Sequence, residues 1–122
     1  MRVALDADGW PKGQPQVFLD LNAEGLHPDG AVVDADGTLW LAQWGAGRIA
    51  AYGCDGALQR VIDFDAPHTS CPAFGGPDMT TLFCTTAMQG MNAVARAARP
   101  NSGKTFAAPG IARGKYEHMV II

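Results

Sequence analysis

The residues of this 122-residue chain best suited to chemistry form one short run, His27-Pro28-Asp29-Gly30. An apolar stretch, Ala31-Val32-Val33, follows at once, then Asp36-Gly37 and a second apolar stretch from Leu39 to Trp44. An Asp-Gly pair between two such stretches reverses the chain as a hairpin turn. Asp29 is thereby held at the mouth of a strand, where a carboxylate meets solvent while its neighbours pack. Such an oxygen suits a hard divalent cation, which lowers the pKa of bound water and polarises a carbonyl. It also suits a general base towards water. The plain alternative is an ordinary turn aspartate after proline.

The run recurs. Leu19-Asp20-Leu21 returns as Ile62-Asp63-Phe64, and Thr38-Leu39-Trp40 as Thr81-Leu82-Phe83, each 43 positions on. His27-Pro28-Asp29-Gly30 returns as His68-Thr69-Ser70-Cys71 at an offset of 41, so the second copy carries a two-residue insertion near Gly76-Pro77-Asp78. Ser70 is the repeat-equivalent of Asp29 and is expected to face the same surface one unit along. Thr69 and Ser70 are candidate substrate contacts; the alternative is hydroxyls that satisfy backbone groups at a strand end. Nothing resembles a Ser-His-Asp arrangement, so Ser70 is not read as a nucleophile. The matched His27 and His68 are read as structural.

Other motifs dissolve on inspection. Gly45-Ala46-Gly47 fits a relaxed dinucleotide fingerprint, but a strand rather than a helix is expected after it, so the glycines make a turn. Asp6-x-Asp8-Gly9 and Asp34-x-Asp36-Gly37 open like calcium loops but lack the later acidic ligands, and are turns. Trp40 and Trp44 share a strand face and are read as packing residues.

The elements that must position these residues are strands. Fifteen glycines and eight prolines punctuate short β-type runs. Strands are expected at 2–6, 16–21, 30–34, 39–43, 48–52, 58–64, 73–75, 81–86, 105–107 and 118–122. The Ala-rich stretch Ala87–Arg99, interrupted by Gly90, reads as a helix or as a loop with a helical turn. A four-strand unit repeating every 40–45 residues or so is a propeller blade. Its sheet is apolar on both faces and buries them only by stacking on like neighbours. The expected fold is therefore all-β, a partial β-propeller. At a 43-residue period the chain amounts to about 2.8 four-stranded blades: a half blade over 1–21, a blade over 27–64 and a blade over 68–122.

Composition bounds the function. Hydrophobic residues make up 48% and charged residues 17%, enough for a packed core. A net charge of −3 with no basic stripe argues against nucleic acid or an anionic membrane as partner. No apolar run has the length of a membrane span. The N-terminus does not read as a signal peptide, and the three cysteines, Cys54, Cys71 and Cys84, lack metal-ligand spacing. Three reduced thiols in a cytoplasmic protein is the reading that follows.

The ordered set Pro28-Asp29-Gly30, Asp34-x-Asp36-Gly37-x-Leu39-Trp40-x-Ala42-x-Trp44-Gly45-x-Gly47-Arg48 and Thr69-Ser70-Cys71-x-x-Phe74-Gly75-Gly76-Pro77-Asp78 resembles the senescence marker protein / regucalcin / gluconolactonase family. The resemblance runs from about Arg2 to the end and is weakest over Ala87–Ala108. It implies a six-bladed propeller that binds one divalent cation, calcium or zinc, and hydrolyses sugar lactones. It implies that this chain is the C-terminal portion of such a protein. Asp29 then stands at the position of a metal-ligating aspartate. No residue of the chain answers to the family's ligating Glu and Asn or to its mid-chain substrate-binding Arg and Asn. The expected function is a segment of a metal-dependent sugar lactonase, inactive or weakly active alone. The alternative is a non-catalytic propeller remnant or small binding module that self-assembles. The open blade faces call for a partner, either a missing N-terminal half or a second copy in a homodimer.

Overall fold

In the computed structural model, which describes residues 1–117, the chain forms three separate antiparallel sheets. Strands β1 (Arg2–Leu5) and β2 (Pro11–Gln16) make a hairpin. Strands β3 (His27–Val33), β4 (Leu39–Trp44), β5 (Arg48–Tyr52) and β6 (Leu58–Asp63) form a four-stranded meander in sequence order. Strands β7 (Thr69–Gly75), β8 (Thr81–Thr86) and β9 (Thr105–Ala108) form the third sheet, with helix α1 (Ala93–Ala98) between β8 and β9. The expected strand at 118–122 lies outside the described residues.

The four-stranded sheet has two apolar faces because its central strands alternate two sets of apolar residues. Trp40 opposes Ala51 and Ala42 opposes Ile49 on one face; Leu39 opposes Tyr52 and Leu41 opposes Ala50 on the other. The first face packs against Leu82 and Cys84 of the third sheet, flanked by Phe74 and Phe106. Trp40 meets the Phe74 ring edge-on at 5.8 Å. The second face is covered by Leu21, with Leu19, Leu26 and Val61 around it. Alanines at 42, 50 and 51, all essentially inaccessible, let the layers approach closely.

Four of the hairpin turns share one device, an aspartate whose carboxylate accepts from a backbone amide of its own turn. Asp6 Oδ1 accepts from the amides of Asp8 (3.0 Å) and Trp10 (2.8 Å). Asp34 Oδ1 accepts from those of Asp36 (3.0 Å) and Thr38 (2.9 Å). The two calcium-loop look-alikes are thus turns. Gly9, Gly37 and Gly56 take the left-handed conformation these turns require, and in the fourth turn Met79 takes it at φ 58°.

Several boundaries differ from expectation. A strand was expected at 16–21; instead β2 occupies Pro11–Gln16 and the chain then turns inward. Leu21 is buried, and its carbonyl accepts from the amides of Glu24 (3.2 Å) and Leu26 (3.2 Å), closing a short 3-10 turn at Asn22–Glu24. Pro11 and Pro15 are tolerated because β2 is an edge strand, exposed throughout. The stretch expected as helix or loop is mostly loop, with the six-residue α1 capped by Asn92, whose Oδ1 accepts from Ala95 N at 2.9 Å.

Candidate functional site

Strands β3 and β7 each begin earlier than their apolar runs, at His27 and Thr69, because each contains a β-bulge. In β3, Pro28 pairs with Gln43 and Ala31 with Leu41, so Asp29 and Gly30 together oppose Ala42. In β7, Thr69 pairs with Thr86 and Pro72 with Cys84, so Ser70 and Cys71 together oppose Thr85. The bulges fall at repeat-equivalent positions, and they are what re-aims these side chains. Asp29 is exposed and Ser70 half-buried. Asp29 accordingly lies within a strand, at its bulge, rather than ahead of it.

The two bulges touch through Gly30. A Cβ on Gly30 would lie 2.6 Å from the Ser70 carbonyl oxygen and 2.9 Å from Cys71 Cα. Only glycine permits this approach between the sheets. The β7 bulge is further fixed from β8: Thr85 Oγ1 accepts from Cys71 N at 3.1 Å and lies 3.4 Å from Cys71 O. Beneath it Cys84 is fully buried, and burial pushes its thiol up to about 11.

Thr69 is placed differently from Ser70. Its side chain is fully buried, and its hydroxyl is shared between the carbonyls of Gln43 (3.2 Å) and Arg48 (3.0 Å) on the neighbouring sheet. Gln43 is itself buried; its Nε2 donates to the Tyr52 hydroxyl at 2.8 Å and its Oε1 accepts from Arg48 Nε. Burial raises the Tyr52 pKa, with the Gln43 bond opposing it. Next to Thr69, His68 stacks on Trp44 with ring centroids 4.4 Å apart and planes within 3°. Trp40 and Trp44 are therefore both inter-sheet packing residues. The Gly45–Gly47 turn is tied to the same seam, since Gly47 N donates to Pro67 O at 2.9 Å. Sequence reasoning missed Gln43 and Gly30 as parts of this seam; no residue type or spacing in the sequence distinguishes either.

Among the described residues, no three His, Cys, Asp or Glu side chains converge as a metal site. The Asp29 carboxylate is exposed and receives no hydrogen bond from a described residue. A hard cation takes six to eight oxygens, so these residues alone do not fit one. All three thiols are free, Cys54 and Cys71 exposed and Cys84 buried. No helix among the described residues is long and apolar enough to cross a membrane.

This arrangement of bulged, stacked sheets has close counterparts. A crystal structure described as a calcium-binding protein, regucalcin, from Agrobacterium tumefaciens superposes on the whole chain with a TM-score of 0.93 at 38% identity. The match covers 42% of that protein. A luciferin-regenerating enzyme shares the fold at a TM-score of 0.78 and 21% identity, over 93% of this chain and 38% of its own. A sugar lactone lactonase assigned by similarity in Rhizobium meliloti is 43% identical over 120 residues, which are 96% of this chain and 40% of the relative. An L-arabinolactonase from Azospirillum brasilense is 40% identical over 75% of this chain and 30% of its own. Residues 1–88 match the SMP-30/Gluconolactonase/LRE-like region. The chain belongs to that family, and it spans 40% or less of the length of these two curated relatives.

Proposed function

We infer that this chain is the C-terminal portion of a sugar-lactone hydrolase in which Asp29 is one oxygen donor of a divalent cation site, calcium or zinc. The observation that carries this is the exposed Asp29 carboxylate at a bulge opposite Ala42, in a chain whose relatives are named for lactone hydrolysis. In this reading the sheets are consecutive blades of a six-bladed propeller, with β1–β2 a half blade, and β3 and β7 are the innermost strands. Ser70 then lines the channel beside Asp29 and contacts substrate. Lactone hydrolysis adds water to the ring carbonyl and breaks the ring C–O bond, releasing an aldonic acid. A carboxylate serves that chemistry by accepting a proton from water or by holding a cation.

The isolated chain is a poor catalyst in this account, because one carboxylate does not make a cation site. Assaying the 122-residue chain on gluconolactone with calcium, zinc or manganese tests this. Weak or no turnover is expected, and Asp29→Ala abolishes whatever is seen. Turnover matching a complete lactonase would overturn the one-ligand reading. The missing partner is the remainder of a longer chain or a second copy; sedimentation at micromolar concentration distinguishes a monomer from the homodimer.

A further inference from the structure

We propose that Gly30 and Thr69 are positioning residues that fix the spacing between Asp29 and Ser70 across the seam of two sheets. The inference rests on the reading of Asp29 and Ser70 as one site. Each residue is the sequence neighbour of one of the pair and acts on the other's sheet. Gly30 follows Asp29, and its missing Cβ brings the β3 backbone against the Ser70 carbonyl, where an added Cβ would sit 2.6 Å away. Thr69 precedes Ser70, and its buried hydroxyl holds β7 to the carbonyls of Gln43 and Arg48 at 3.2 and 3.0 Å.

The two contacts are coupled through β4. Gln43, whose carbonyl receives the Thr69 hydroxyl, is also the cross-strand partner of Pro28, immediately before Asp29. A shift of β7 relative to β4 therefore changes the distance between the two bulges directly. Neither contact can yield by side-chain rotation: the first is backbone against backbone, and the second involves a fully buried side chain. Thr69, expected from sequence to touch substrate, is turned away from solvent and acts through Ser70 instead.

Cys71 reports on this spacing without any enzymatic assay. It is exposed, adjoins Ser70, and its sulfur would lie 3.1 Å from a Cβ on Gly30. In a Cys54→Ser background it is the one exposed thiol, since Cys84 is buried with its thiol raised to about 11. The experiment measures the rate of Cys71 alkylation by iodoacetamide in the full chain. Gly30→Ala and Thr69→Val should each change that rate on the order of tenfold through altered thiol access. Thr69→Ser, which keeps the hydroxyl, should restore the parent rate. A folded Gly30→Ala or Thr69→Val protein with an unchanged Cys71 rate would overturn the proposal. Labelling of Cys84 in either variant would also overturn it, because the contacts would then hold the whole fold rather than a local spacing. The thiol rates stand whether or not any lactone is hydrolysed, so failure here is separable from failure of the lactonase reading.

Discussion

Two aspartates five positions apart, Asp29 and Asp34, should differ sharply in what the same substitution costs in stability. Asp34 is 3% exposed. Its Oδ1 binds the amides of Asp36 and Thr38, and its Oδ2 accepts from the Trp40 indole N–H at 2.8 Å. Asp34→Asn keeps the shape and the Oδ1 contacts but sets an NH2 against the indole N–H. One charge-assisted bond is lost and a buried donor is left unpaired, which costs about 2–3 kcal/mol. Asp34→Ala strips all three bonds and should cost about 3–5 kcal/mol. With a urea m-value of about 2 kcal/mol/M, the alanine variant's midpoint falls by roughly 2 M. Trp40→Phe removes the donor, so in that background Asp34→Asn should cost less, by a coupling of about 1–2 kcal/mol. Asp29→Ala, at an exposed carboxylate, should stay within about 0.5 kcal/mol of wild type. Urea unfolding followed by tryptophan fluorescence measures the five variants and the wild type. Asp34→Ala within about 0.5 kcal/mol of wild type would refute the turn-and-indole account, because that is the ordinary range for surface changes.

Met79 occupies a left-handed turn position that glycine holds in the Asp-Gly turns at Gly9, Gly37 and Gly56. Met79→Gly removes about 1–2 kcal/mol of steric cost against a smaller entropic loss, for a net gain of about 0.5–1 kcal/mol; a lower urea midpoint would contradict this. At Gly114 a Cβ would lie 2.2 Å from Phe74 Cβ, so Gly114→Ala should cost about 1–3 kcal/mol by overpacking the contact beneath Trp40. Cys84 and Tyr52 both have pKa values raised by burial, so their native states favour the protonated forms. Their contribution is fully present below the unfolded-state values and is lost as pH rises through the native ones, a window that for Cys84 closes at about 11. Urea midpoints should therefore fall from neutral towards strongly alkaline pH, and Cys84→Ala should flatten part of that fall.

The pairing of β3 with β4 and of β7 with β8 was legible because both hairpins repeat and both alternate around Asp-Gly or Gly-Pro-Asp turns. The equivalence of Asp29 and Ser70 was legible for the same reason. The bulges were not, since a bulge is a mismatch in count between two strands and leaves no mark in either strand alone. Strand β2 was missed because Pro11, Gly13 and Pro15 read as loop, whereas an edge strand tolerates them. Leu19 and Leu21 imitated strand alternation, but Leu21 anchors a turn over the second core face. Thr69 reads from sequence as a candidate substrate contact; its burial against another sheet is a tertiary fact that residue type does not carry.

The central claim is that Asp29 supplies one oxygen to a lactone-hydrolysing site completed by residues beyond this chain. It is tested most directly by exchanging this chain for the matching 120-residue stretch of the Rhizobium meliloti relative and assaying the chimera on sugar lactones with added divalent cation. The account predicts an active chimera that loses activity by about 100-fold or more with Asp29→Asn while keeping its urea midpoint, as expected for loss of a group acting at the reacting centre. A folded chimera whose activity is indifferent to Asp29→Asn would contradict it.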